Sequence, residues 1–371
     1  MTGRPKPLNW LLALREPSVA CDWSLAQWEH VVRLARRLRL LARLAEAVDA
    51  AGLMQGMPAL PRRHLIAEQR MSHWRTTAMR WAIERVAETL GGLGGPLVLL
   101  KGGAYIAQDL PIAEGRLPSD LDILVPRAQL ADALARLTAM GWQETALDAH
   151  DQRYYADWSH EVAPMTHALH AIELDLHHNI LPPVARTHVD AAALLAYAKP
   201  SKWPAWQVLD PVDQVLHSAA HLFLDSELRD RLRDLVDLDG LMCHFGTEPE
   251  FWLRLPDRAK ALGLAEPLTL ASHFCRRWLG TPIPEDALAS ITAYGPSMAR
   301  RAWLVPLFER VLMPSDPDVA SAWSQGIAST IVLARYHRQR LPMRLLVPHL
   351  WHKWRAGRAV TVDGAQGQPA P

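Results

Sequence analysis

Asp120 and Asp122, in the run Ser119-Asp120-Leu121-Asp122-Ile123-Leu124-Val125, lie just downstream of an apolar segment that ends in Lys101-Gly102-Gly103. Side chains alternate along an extended segment, so both carboxylates fall on one face of a strand while Leu121 and Ile123 fall on the other. Aspartate is a poor strand former, and two neighbouring carboxylates repel unless a cation sits between them. A chain with this pattern is expected to build a sheet with one apolar face and one face suited to a cation.

The spacing alone is weak, since about one or two such matches arise by chance in a chain of ordinary Asp content. Two further copies serve as internal controls, Asp237-Leu238-Asp239 and Asp316-Pro317-Asp318. The first belongs to a helical pattern, where residues two apart point in different directions, and the second reads as a turn beside a helix start. Only the copy at 120 and 122 lies in an expected strand behind a Gly-Gly turn.

The 371 residues can bury a large core, and 49% of them are hydrophobic. Lys and Arg total 40 against 39 for Asp and Glu, so no net charge argues for nucleic-acid binding. Cys21, Cys243 and Cys275 are scattered and form no CxxC pair, which implies neither a disulfide framework nor a thiolate zinc site. The apolar run Leu8 to Leu14 stops at Arg15-Glu16-Pro17 without a small-residue cleavage site, and no apolar stretch approaches the ~20 residues of a membrane span. A cytoplasmic protein, at most peripheral to a membrane, is expected.

Trp28 to Leu53 has helical period and is read as one amphipathic helix, followed by a second from His64 to Leu90. From Pro96 the pattern changes. Leu97-Val98-Leu99-Leu100 reads as a buried strand, Gly102-Gly103 as a turn into a short helix through Ile106, and Asp120 to Val125 as the next strand. A helix from Arg127 to Met140, a strand at Trp142 to Thr145 and a strand at Ile172 to His177 complete this block. Helical patterns then run over Pro211 to Leu224, Glu227 to His244, Glu248 to Leu262, Leu264 to Trp278, Pro296 to Leu312 and Val319 to Arg340. The expected organisation is an N-terminal helical segment (1–95), an α/β core (96–182), a C-terminal helical domain (183–360) and a disordered tail (361–371).

The order of elements resembles the uncharacterised bacterial nucleotidyltransferases of the DNA-polymerase-β-like superfamily. The residues that carry the likeness are Leu100-Lys101-Gly102-Gly103, Arg116, Asp120-Leu121-Asp122-Ile123-Leu124-Val125, Gly141-Trp142 and Ile172-Glu173-Leu174-Asp175-Leu176-His177. His217, His221 and Asp234 to Leu238 extend it. The resemblance implies an α+β fold, a mixed sheet core with N-terminal helices and a mostly helical C-terminal region. It also implies a metal-bound site that moves a nucleoside monophosphate from an NTP to an acceptor hydroxyl with release of pyrophosphate.

By that resemblance Asp120 and Asp122 match the metal-ligand pair for two Mg²⁺ ions, and Asp175 the third, activating carboxylate. Glu173 and His177 share the face of Asp175, so Glu173 is the alternative third carboxylate. Gly102 and Gly103 would admit the phosphates to backbone N–H groups, with Lys101 and Arg116 as their charge partners. His177, His217 and His221 are candidates for a substrate pocket. Two departures from the better-studied members are a longer gap from Gly103 to Asp120 and a Lys before the glycine pair where those have Gly-Ser. Both are features of the uncharacterised subfamily.

Protein, small molecule, sugar and RNA end all remain open as acceptor. A catalytically inactive binding or assembly module in a bacterial surface-polysaccharide or peptide-modification system is the rival reading. A third is a metal-dependent hydrolase using His217 and His221, with Asp213 one turn earlier. Asp234 and Asp237 with Arg231 and Arg233 read as a salt-bridged helix face. Residues 335–358 concentrate Arg335, Arg338, Arg340, Arg344, Lys353, Arg355 and Arg358 among Trp351 and Trp354, a pattern that suits contact with an anionic surface.

Overall fold

A computed structural model describes residues 5–146, 148–169, 171–225, 228–315, 323–342, 344–346, 348 and 351. Two short 3-10 helices, Lys6–Leu14 and Pro17–Asp22, precede helices α1 (Leu25–Arg37), α2 (Leu41–Ala50) and α3 (Ala59–Leu90). Next come β1 (Val98–Leu99), α4 (Lys101–Ala107), β2 (Asp120–Leu124), α5 (Leu130–Ala139), β3 (Gln143–Glu144), α6 (Ala149–Asp157), β4 (Met165–Thr166) and β5 (Glu173–His177). After α7 (Ala191–Leu195), β6 (Lys199–Pro200) and β7 (Gln207–Val208), helices α8 (Pro211–Phe223), α9 (Leu232–Phe245), α10 (Pro249–Ala261) and α11 (Ala265–Phe274) follow. Helices α12 (Glu285–Tyr294), α13 (Met298–Leu312) and α14 (Trp323–Arg340) come last.

The class is α+β, and the sheet has seven strands in the order β3-β4-β5-β2-β1-β7-β6. Its central pairing is parallel: β2 and β5 align residue for residue, Asp120 opposite Glu173, Asp122 opposite Asp175 and Leu124 opposite His177. The other neighbour of β2 is β1, which runs antiparallel to it and parallel to β7. Leu121, Ile123, Leu174 and Leu176 are fully buried, as the alternating pattern requires of the apolar face.

Differences from the sequence reading have local causes. The run from Trp28 to Leu53 is two helices, because Arg39 adopts a left-handed conformation (φ 57°) that lets Leu38 and Leu40, on either side of it, both enter the core. Helix α1 starts at a capping box in which Ser24 and Gln27 satisfy each other's backbone N–H groups. Helix α3 begins five residues before His64, since Pro61 sits in its first turn, where a missing N–H costs nothing. The expected helix from Leu264 to Trp278 is α11 continued by a π-helical turn at Cys275–Leu279, closed by left-handed Gly280. Helix α12 was not anticipated, although Pro284 followed by Glu285 and Asp286 is a helix-start signal. Strands β4, β6 and β7 have two residues each, too few to show a period. The expected tail at 361–371 and the control at Asp316-Pro317-Asp318 lie outside the described residues. No helix among the described residues is long and apolar enough to cross a membrane.

One buried ion cluster ties the N-terminal helices to the rest. Asp237 on α9 accepts from Arg43 on α2 at 2.9 Å and from Arg116 Nε, just ahead of β2, at 2.9 Å. The expected partners Arg231 and Arg233 belong instead to Asp234, at 3.1 and 3.2 Å. Asp239, two residues further along α9, turns to Arg15 and Thr281, as helical geometry requires of residues two apart. Replacing Asp237 by Asn leaves two guanidinium groups buried against one neutral amide. Such a loss costs about 3–5 kcal/mol, so the expected outcome for Asp237→Asn is a clearly lowered denaturation midpoint, read by chemical unfolding.

Candidate functional site

The polar face of the β2/β5 pair carries Asp120 and Asp122 from one strand and Glu173, Asp175 and His177 from the other. Burial deepens along it: Glu173 is exposed, Asp120 and Asp175 are half-buried, and Asp122 and His177 are both 2% exposed. The ligand atoms of Asp122, Asp175 and His177 all lie within 4.8 Å of one another. Asp120 stands outside that group, its Oδ1 accepting from Ser119 Oγ at 2.7 Å. The aspartate that faces Asp122 across the strands is thus Asp175, and Glu173 faces Asp120 at the solvent edge.

A buried carboxylate needs compensating charge, and Asp122 takes it from two directions. Lys101 Nζ lies 2.7 Å from Asp122 Oδ1, and His177 Nε2 lies 3.0 Å from the same oxygen. Burial by itself would raise the Asp122 carboxyl, but Lys101 and His177 outweigh it and hold the group well below the usual carboxylate range. The Lys101 ammonium is correspondingly raised: Asp122 and Asp120 overcome the cost of burying it. For Asp175 the balance runs the other way. Burial, reinforced by the charge of Asp122, pushes its carboxyl up to about 7.

Lys101 reaches Asp122 because it opens α4 in a left-handed conformation, φ 43°. For a residue with a Cβ this costs about 1–2 kcal/mol, strain of the kind found where function dictates geometry. The glycines after it are not the turn that the sequence suggested. Gly102 and Gly103 lie inside α4, and close packing explains the lack of side chains: a Cβ on Gly102 would come 2.2 Å from Arg116 Nη1, and one on Gly103 3.1 Å from Leu121 Cδ1. Arg116, expected beside phosphates, is 8% exposed and committed to Asp237 beneath this helix start.

Behind Lys101 and His177 opens a cavity of about 130 Å³, into which His217 and His221 of α8 and Arg340 of α14 also face. Burial lowers both helix histidines, His217 to about 3, so they are neutral near pH 7. Asp213, the partner that a hydrolase reading would need, is held by Arg258 through both carboxylate oxygens at 2.7 Å. Among the described residues it joins no metal-binding group with His217 and His221. Two cavity residues escaped the sequence reading, His160 and Glu161, placed opposite His177 by an isolated bridge between Glu161 and His177. Neither period nor motif marks them. In the basic segment, Arg335 turns inward to Glu266 at 2.7 Å and Arg340 packs over Tyr154, while Lys353, Arg355 and Arg358 lie outside the described residues.

A mixed sheet whose parallel central strands carry facing carboxylates, with a lysine at an adjoining helix start, fits the nucleotidyltransferase class of fold. Residues 24–280 match the family described as uncharacterised nucleotidyltransferase, and the chain belongs to that family. The matched span runs from the cap of α1 to the glycine that closes the π-helical turn, so it includes the N-terminal helices and α8–α11 as well as the sheet. No curated protein and no solved structure matches the chain.

The raised Asp175 carboxyl has a consequence for stability. Its value is about 7 when folded and 3.8 when free, so between these limits the folded state binds more protons than the unfolded one. Stability from this group therefore falls as pH rises from about 4 to about 7. Urea midpoints measured across that window in a metal chelator are expected to decline in the wild type and to decline less in Asp175→Asn.

Proposed function

We propose that the chain moves a nucleoside monophosphate from an NTP to an acceptor hydroxyl, with release of pyrophosphate, at the polar face of β2 and β5. The observation that carries this reading is the register that sets Asp122 opposite Asp175, in a chain of the nucleotidyltransferase family. Two carboxylates, one of them raised by burial and by the charge of the other, make an oxygen-donor set that suits Mg²⁺. Asp122 and Asp175 would hold the metal, with Asp120 on the same face at its open edge as a further ligand. Bound there, two Mg²⁺ ions would neutralise the triphosphate and lower the pKa of the acceptor hydroxyl.

The protein's own residues supply position and charge. With a cation at Asp122, the Lys101 ammonium no longer has to neutralise that carboxylate and becomes available to a phosphate oxygen. The first N–H groups of α4, at Gly102 and Gly103, lack acceptors within the helix and serve as further phosphate donors. Arg116 acts as a positioning residue, fixing the start of α4 from below through Asp237. His177 orients Asp122, and the cavity lined by His177, His217 and His221 receives the acceptor. A cytoplasmic setting, where NTP and Mg²⁺ are abundant, goes with this chemistry, and the exposed Arg338 and Arg344 leave room for peripheral contact with an anionic surface.

Calorimetry of each NTP with Mg²⁺ tests the reading. The wild type is expected to bind at least one NTP only when Mg²⁺ is present, and Asp120→Ala/Asp122→Ala to lose that binding. Lys101→Met should weaken it by about tenfold or more, the worth of a hydrogen bond to a charged group. If no NTP binds, the transferase reading falls and the inactive assembly module replaces it.

A further inference from the structure

We propose that His160, Glu161 and His177 form a second, separate metal site, one for a borderline divalent cation such as Zn²⁺, facing the cavity behind the carboxylate pair. One ligand atom from each of the three lies within 4.8 Å of the others. Glu161 Oε2 is 3.2 Å from His177 Nδ1 and 3.7 Å from His160 Nε2. Two imidazoles and one carboxylate are the donors that zinc and its neighbours prefer, whereas Mg²⁺ prefers oxygen. All three residues line the cavity, so a fourth position is open to whatever enters it.

The second observation is the state of His177. Its ring is buried, and its Nε2 faces Asp122 Oδ1 at 3.0 Å, a carboxylate held ionised by Lys101. Nε2 is thereby engaged with Asp122, and Nδ1 is the ring nitrogen that faces Glu161. Nδ1 has no hydrogen-bond partner: Glu161 Oε2 is near enough but out of hydrogen-bonding alignment. A separation of 3.2 Å is close to the span between two donors that share one metal ion at about 2.0–2.2 Å each. The order carboxylate, histidine, metal is also how proteins orient metal-bound imidazole, the outer carboxylate fixing tautomer and ring. His160 Nδ1 is a further buried atom without a partner, on the same wall.

The backbone holds this geometry without any ion. Val162 N donates to Leu176 O at 3.0 Å, and His178 N donates to His160 O at 2.8 Å, so residues 160–162 run as an extra edge along the end of β5. The two metal sites then share His177 as a wall. A cation at Glu161 would fix the ring that orients Asp122, and would offer an open coordination position to an oxygen of the acceptor.

The test uses the full chain, stripped with chelator and titrated with Co²⁺, whose visible spectrum reports nitrogen ligation. The wild type is expected to take up one equivalent with visible ligand-field bands that Zn²⁺ abolishes and excess Mg²⁺ does not. Glu161→Gln, which keeps the size of the side chain, and His160→Ala should each weaken uptake by about tenfold or more. Asp175→Asn should retain it, although that variant is expected to lose Mg²⁺-dependent NTP binding, so the two proposals fail separately. If His160→Ala does not fold, Glu161→Gln decides. Loss of Co²⁺ uptake in Asp175→Asn would overturn the proposal by placing the ion between the carboxylates. No uptake by the wild type, with both His177 ring nitrogens protonated in nitrogen-15 spectra, would equally overturn it and leave an imidazolium between Asp122 and Glu161.

Discussion

The carboxylate of Asp122 organises the structure around it. A charge buried this deeply stands only if neighbours compensate it, and here compensation comes from two elements, Lys101 at the start of α4 and His177 at the end of β5. Both contacts converge on one oxygen, so the edges on either side of β2 are drawn to the same point. The strain at Lys101 accompanies that convergence, and Gly102 and Gly103 leave room for Arg116 and Leu121 against the same helix start. The fold holds its acidic face together with borrowed positive charge, and a site built in this way is disposed to exchange that charge for a metal ion.

A second buried carboxylate, Asp237, does for the outer layers what Asp122 does for the sheet. Its two oxygens are divided between Arg43 of α2 and Arg116, so the N-terminal helices, the loop before β2 and α9 meet at one residue. Ser72 of α3 adds a hydrogen bond to the Arg116 carbonyl at 3.1 Å. Arg116 in turn lies under Gly102. The start of α4 therefore rests on contacts that reach back to α2 and forward to α9, which accords with a family match that takes in all of them.

Much of the fold was legible because it depends on period. The 120–124 strand, the strand ending at His177 and most helices from α3 to α13 are regular enough for burial to imprint a spacing of two or 3.6 residues. Some of what failed was too short to have a period, as with β4, β6 and β7, or was decided by one residue, as with Arg39, while α12, ten residues long, was passed over despite its start signal. Of the candidate site residues, Asp122, Asp175 and His177 come together, Lys101 joins them, and Asp120 stays at the rim. Arg116 is paired with Asp237, 121 residues away, a contact that residue spacing does not record.

By itself, the sequence determined that a strand would carry two aspartates on one face, that an apolar strand and a lysine would precede it, and that helices would enclose the rest. These follow from side-chain alternation and from hydrophobic spacing, which are properties of neighbours along the chain. Only the tertiary structure decided that Asp175 faces Asp122, that Lys101 neutralises the pair's buried member, and that His160 and Glu161 stand behind His177. Register across parallel strands and the pairing of buried charges depend on which segments meet in space, and residue spacing holds no record of that.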